Sequence, residues 1–213
     1  LDRSSAASDV YKRQRVDGEV WNEALRELGF DAGALGINLA NAHYSTVTEV
    51  HRLQGPDYGK WPDTFSYDLT YKQRDDLGDA RTCWEKHRHF RFALLAKAAY
   101  VSGDRRLLAH LSDEQDRWCE QHTFLHGIAW TSVMEVAIRA VNWMVALAFC
   151  KDKKLAERLR TGVINMTDYL TRHYSRFSSA NNHLLVEAAA IGLAGYAFGY
   201  RPWKELGLSL IHI

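Results

Sequence analysis

The chain has 213 residues, 46% of them hydrophobic and 25% charged with only 3 Pro, which excludes a disordered, collagen-like or proline-rich chain and allows a sizeable core. Lys and Arg number 27 against 26 Asp and Glu, a formal charge of +1, so no net field draws the protein onto nucleic acid. The longest apolar stretches, Trp143 to Cys150 and Ala188 to Phe198, are shorter than a membrane span, and Cys83, Cys119 and Cys150 lie far apart with no CxxC pair. Neither nucleic acid nor membrane is an expected partner, and cysteine usage leaves the compartment open.

The ends do not match the middle. Residues 1–14 (LDRSSAASDVYKRQ) are polar and unpatterned, and residues 208–213 (LSLIHI) follow just as abruptly; both resemble translated adapter read-through and are expected to be non-native. A frayed terminus and a short closing strand are the alternative. Residues 15–207 then form the domain, and the chain, which starts at Leu1 without a signal-peptide pattern, reads as an internal fragment.

Apolar spacing near 3.6 residues recurs along the chain, with almost no alternation of period two, so the fold is expected to be all-α. Val16 to Gly29 reads as an amphipathic helix. Phe30 to Ala80 is loop-rich, with Tyr44, Tyr58, Trp61, Phe65, Tyr67 and Tyr71 among Gly and Pro. These aromatics either anchor a wrapped loop or line a groove for a sugar chain. A helix is then predicted from Trp84 to Ser102, ended by Gly103, followed by one capped by Asp104 with Leu107, Leu108, Leu111 and Trp118 on a stripe. Further helices are expected from Trp130 to Cys150, with Val133, Ala137, Val141, Met144 and Ala148 buried, from Lys151-Asp152 to Tyr174, and from Asn182 to Phe198. Arg201-Pro202-Trp203 opens another turn. Hairpins of this kind stack into a bundle, a solenoid or a closed toroid, and periodicity does not choose among them.

Three constellations carry the candidate chemistry. Ser178-Ser179-Ala180-Asn181-Asn182-His183 passes from loop into helix, where free N–H groups and the helix dipole favour an anion; an ordinary Asn cap beside a surface His is the plain alternative. On the predicted helix after Trp130, Glu135, Arg139 and Asn142 share one face, either as a solvated pair or as a polar wall looking into a cavity. Trp84-Glu85-Lys86-His87-Arg88-His89 opens a helix with acid before base, which suits the dipole. His122 and His126 are four apart, but no acidic or Cys partner accompanies them, so no metal site is expected. Residues 151 to 176 hold seven Lys or Arg against three Asp or Glu, a solvated face or an attraction for an anionic polymer.

Taken in order, the stretches CWEKHRHFRFALLAKAAYVSGD, GIAWTSVMEVAIRAVNWMVAL and SSANNHLLVEAAAIGLAG resemble the helical N-terminal domain of heparinase II/III-like polysaccharide lyases, which include oligoalginate lyases. The likeness runs from about Lys60 to Gly207. It implies an incomplete (α/α) toroid of antiparallel hairpins, normally followed by a β-sandwich domain of the same chain, and a periplasmic or extracellular location. It also implies β-elimination on a uronic-acid polysaccharide or oligosaccharide, with no cofactor in this part of the protein. Asn182 and His183 fall on the family's catalytic Asn-His pair; Glu187 would orient His183, with Glu135, Arg139 and Asn142 lining the substrate channel and Arg88 and Trp130 as further subsite contacts. An α/α-toroid glycoside hydrolase using Glu135 and Glu187, and a sugar-binding domain without chemistry, are the alternatives. The catalytic Tyr implied by the family lies beyond the last residue, so the 213-residue chain is expected to be inactive alone. Assays for unsaturated uronate with the purified chain should detect none; sustained release would overturn that expectation.

Overall fold

A computed structural model describes residues 60–72, 74, 76–176 and 182–211, and the account below is confined to them. The predicted helix at Val16 to Gly29, the residues 1–14, Tyr44, Tyr58 and residues 178–181 lie outside it. The described residues are all-α: α1 Ala80–His87, α2 Phe90–Ser102, α3 Arg105–Gln121, a 3-10 turn Ile128–Trp130, α4 Val133–Phe149, α5 Lys153–His173, α6 Asn182–Ala197 and α7 Arg201–Ile211. None is long and apolar enough to cross a membrane. The one β-type pairing among them is a single antiparallel bridge between Phe65 and His126.

Sequence pattern assigns these helices to two roles. α2, α4 and α6 are apolar around most of their circumference, as in VMEVAIRAVNWMVALAF, whereas α3, α5 and α7 are amphipathic. A helix apolar on all sides must be covered on all sides. Accordingly α4 packs between α2 and α6, and α3, α5 and α7 each cover the helix that precedes them in sequence. The main core is built from Phe92, Leu95, Leu107, Leu111, Val136, Trp143, Leu155, Leu159, Leu170 and Ile191, all nearly inaccessible. A smaller cluster of Leu69, Ala80, Cys83 and Ile128, backed by Trp61, Tyr71 and Trp84, seats the segment before α1. A buried ion pair between Arg91 and Glu114, 2.9 Å apart, joins α2 to α3.

Chain punctuation follows local chemistry where it is short-ranged. Gly103 ends α2 with φ 72°, a left-handed conformation that suits a residue without Cβ, and Asp104 caps α3 by accepting the Arg106 amide. Asp152 caps α5 through the Leu155 amide.

Two predicted helices are corrected. The segment Trp84 to Ser102 is two helices, because His89 adopts φ 56°, ψ 37° and breaks the run. A left-handed non-glycine residue costs about 1–2 kcal/mol. Here the His89 ring is stacked on Phe92 at 4.3 Å, and its Nδ1 accepts the Trp143 indole N–H at 2.8 Å. The helix expected from Trp130 starts at Val133, after the 3-10 turn. Of the expected stripe only Ala137 is fully buried: Val133, Val141 and Met144 are half-buried and Ala148 is exposed, while Glu135, Val136, Arg139, Ala140, Asn142, Trp143 and Ala146 are covered with Ala137. Arg201-Pro202-Trp203 opens a full helix rather than a turn, and α7 runs on to Ile211 with Leu210 buried.

Gly162 on α5 sits against the Trp143 ring, which any Cβ at that position would overlap. Gly162→Ala should therefore lower stability by about 1–3 kcal/mol, read by urea denaturation, with the m-value unchanged.

Candidate functional site

The polar face of α4 meets the break between α1 and α2. Glu135, Arg139 and Asn142 are 2%, 0% and 7% exposed, so they form neither a solvated pair nor an open cavity wall. Glu135 receives both arms of the Arg88 guanidinium, Nη2 at 2.8 Å and Nε, and Arg88 also pairs with Glu85. The Arg88 side chain keeps 15% of its surface exposed. Asn142 donates its amide to the Arg88 carbonyl at 2.9 Å and to the Ile138 carbonyl at 3.1 Å. Two constellations that are separate in sequence thus close on each other.

Arg139 lies at their centre. Its guanidinium carbon is 4.8 Å from the ring centre of Trp118 and 4.8 Å from that of Trp130, and its N–H groups donate to the His87 and Ala129 carbonyls, each at 3.2 Å. A desolvated cation between two indole faces gains about 2 kcal/mol or more per favourable contact. Trp130, at 5% exposure, is part of this buried sandwich, with Phe124 and Tyr169 packed edge-on against it at 4.7 and 5.6 Å.

Around Arg139 stand three histidines, His87, His89 and His122. His87 accepts the Trp118 indole N–H at Nδ1, 3.0 Å away, and the His122 ring meets His87 edge-on at 4.7 Å. His122 and His126 do not share a face, because α3 ends at Gln121: His122 turns inward, while His126 turns toward Asp63 at 3.9 Å. Burial, with Arg139 and the other histidines adding to it, holds His87 and His89 well below the ordinary imidazole range. Burial and then Arg139, opposed by Asp63, bring His122 down to about 4. Trp118, His122, Trp130 and Trp143 also line a mainly apolar cavity of about 420 Å³ between α3 and α5, closed on the far side by Arg158, Gly162, Asn165 and Met166. The HRH and WCEQHTFLH stretches carried the only sequence signal for this cluster.

Of the Ser178–His183 constellation, only Asn182 and His183 are among the described residues. Asn182 and His183 form the first turn of α6, Asn182 exposed and His183 half-buried. Glu187, one turn on and 0% exposed, does not turn to His183 as expected. Its carboxylate accepts the Ser175 amide at 2.6 Å and the Ser175 hydroxyl at 3.0 Å, which ties the end of α5 to α6. Next to it, Tyr169 stacks on His173 at 4.5 Å, and burial, then Tyr67, raise its phenol well above the ordinary value. The Tyr67 hydroxyl lies 2.7 Å from His173 Nδ1. The sequence pointed to Tyr67 only as one of many loop aromatics, and His173 not at all.

The sign of the histidine effect is fixed by linkage. Imidazoles whose folded pKa is depressed bind fewer protons folded than unfolded, so their contribution to stability is full above the unfolded value of about 6.5 and is lost as pH falls toward the folded one. Melting temperature should fall between about pH 6.5 and pH 4. Arg139→Met, which removes the central cation, should shrink that slope while lowering stability at neutral pH; an unchanged slope would detach Arg139 from the histidines. No family model matches the chain, and neither a curated protein nor a solved structure matches it.

Proposed function

We propose that this chain belongs to a lyase that cleaves a uronic-acid polysaccharide by β-elimination, with Asn182 and His183 as the groups that neutralise the uronate carboxylate. The observation that carries the reading is that, of the three constellations on which the resemblance to heparinase II/III-like lyases rests, two are clasped together inside the fold, while Asn182 is exposed and His183 half-buried in the first turn of a helix. The row of α2, α4 and α6, each covered by α3, α5 or α7, supports an arc of an (α/α) toroid.

The chemistry explains why such a pair is useful. Removing the proton at C5 places charge beside a carboxylate that is already anionic, and the C4 oxygen must then leave with its bonding electrons. The Asn182 amide donating to the carboxylate, together with the partial positive charge of the α6 N-terminus, stabilises the enolate-like transition state more than the ground state. His183 shares that role or takes the C5 proton in this reading. In this reading Arg88, Glu135, Arg139, Asn142 and Trp130 are supports that pack the α1–α2 break against the 3-10 turn and α4. Glu187 fixes Ser175 to α6.

The hydrolase alternative finds less support. Its two carboxylates would be Glu135 and Glu187, and both are buried and committed, one to Arg88 and one to Ser175. A sugar-binding domain without chemistry is favoured by the exposed aromatics near His173.

The test uses the natural gene product that carries this chain, assayed on alginate, heparan sulfate and other uronates by the ultraviolet absorbance of the unsaturated product. Asn182→Ala and His183→Ala should each lower kcat by about a hundredfold or more with melting temperature unchanged. New reducing ends without absorbance would replace the lyase by a hydrolase, and binding without turnover would leave only the sugar-binding reading.

A further inference from the structure

The segment before α1 and the turn after α3 are sewn together by backbone. The Ser66 amide donates to the Leu125 carbonyl and the Gly127 amide to the Thr64 carbonyl, both at 2.8 Å, around the Phe65–His126 bridge. On this short seam two aromatic side chains stand outward: Phe65 is 41% exposed and Tyr67 60%. Their ring centres are 5.4 Å apart with planes inclined at 35°. His126 lies at 6.1 Å from Phe65 on one side, His173 at 6.0 Å from Tyr67 on the other, and Phe124, 47% exposed, on the same turn as His126.

We propose that Phe65, Tyr67 and His173 form a saccharide-binding platform, on which successive sugar rings of a polysaccharide lie. Burial would be the ordinary fate of Phe and Tyr in a domain of this size, and these two are instead held in the open by a backbone seam. The surface alternates flat apolar faces with polar edges: the Tyr67 hydroxyl bonded to His173 Nδ1, and His126 beside Asp63. A pyranose ring matches that pattern, with C–H groups on its face and hydroxyls at its edge. The large exposed aliphatic side chains, Val101, Ile164, Leu185, Leu193, Leu208 and Ile211, all lie on α2, α5, α6 and α7, so the seam itself presents aromatic rings and polar edges. Its backbone bonds are made before any ligand arrives, which reduces the ordering cost of binding.

The seam is tied to α6 by way of α5: Tyr67 bonds His173, the last residue of α5, and Ser175, two residues on, bonds Glu187 one turn inside α6. The uronate identity of the bound polysaccharide rests on the lyase reading; the platform itself does not.

The experiment titrates the 213-residue chain with an alginate hexasaccharide and with neutral cellohexaose, by calorimetry and saturation-transfer NMR. At least one should bind, and Tyr67→Ser and Phe65→Ser should each weaken it by about tenfold or more while leaving melting temperature unchanged. Tyr67→Phe, which keeps the ring and loses the bond to His173, should fall between wild type and Tyr67→Ser. Equal affinity in Tyr67→Ser, or binding of neither oligosaccharide, would overturn the platform. So would concentration-dependent self-association that these substitutions abolish, since the patch would then be a contact between copies. The two readings separate cleanly: cellohexaose binding that needs Tyr67, with no elimination by the natural gene product, keeps the platform and sinks the lyase. Elimination that needs Asn182 with KM unmoved by Tyr67→Ser does the reverse.

Discussion

The junction of α1, α3, α4 and the 3-10 turn is hung on one buried cation. Arg139 sits between the Trp118 and Trp130 rings and donates to the His87 and Ala129 carbonyls, so a single side chain of α4 holds α3, the 3-10 turn and the end of α1 at once. Placing a guanidinium in the interior is costly unless its field and its donors are both answered. Here indole faces answer the field and backbone carbonyls the donors. The carbonyls are available because the chain leaves α-helical geometry at just those places, after His87 and before α4.

That coupling explains the left-handed His89. An unbroken helix from Ala80 to Ser102 would keep the carbonyls of His87 and Arg88 inside its own ladder; the break releases them to Arg139 and Asn142. It also lets His87 and His89, two residues apart, both point into the core, where Trp118 and Trp143 each donate an indole N–H to one imidazole. Those imidazoles are kept neutral by burial and by Arg139, so the same cation that organises the junction makes it sensitive to acid.

In the proposed reading, a buried polar network supports a few exposed groups. Glu135, Arg139, Asn142 and Glu187 are spent on holding loops, and the groups left to meet a ligand are at the ends of elements: Asn182 and His183 at the start of α6, Phe65 and Tyr67 on the seam, His173 at the end of α5. Precise presentation of a few exposed polar and aromatic groups by a buried polar network is what a site for a long anionic sugar would require.

Much of the fold was legible one element at a time. Gly103 and Asp104 marked the end of α2 and the start of α3, Asp152 began α5, and the 3.6-residue apolar spacing announced helices and no sheet, because caps and periodicity are set by residues within a few positions of each other. The spacing of Glu135, Arg139 and Asn142 likewise placed them on one face. What that face met was decided only by tertiary structure: its partners, Arg88 and the His87 carbonyl, are some fifty residues away and exist only because His89 breaks a helix that local sequence favours. The same holds for Tyr67 and His173, 106 positions apart, and for Glu187, which looked like a partner for His183 at one turn's distance and was claimed by Ser175 instead. Local energies dictate where helices start and stop; which polar group answers which is settled by the three-dimensional competition among all of them.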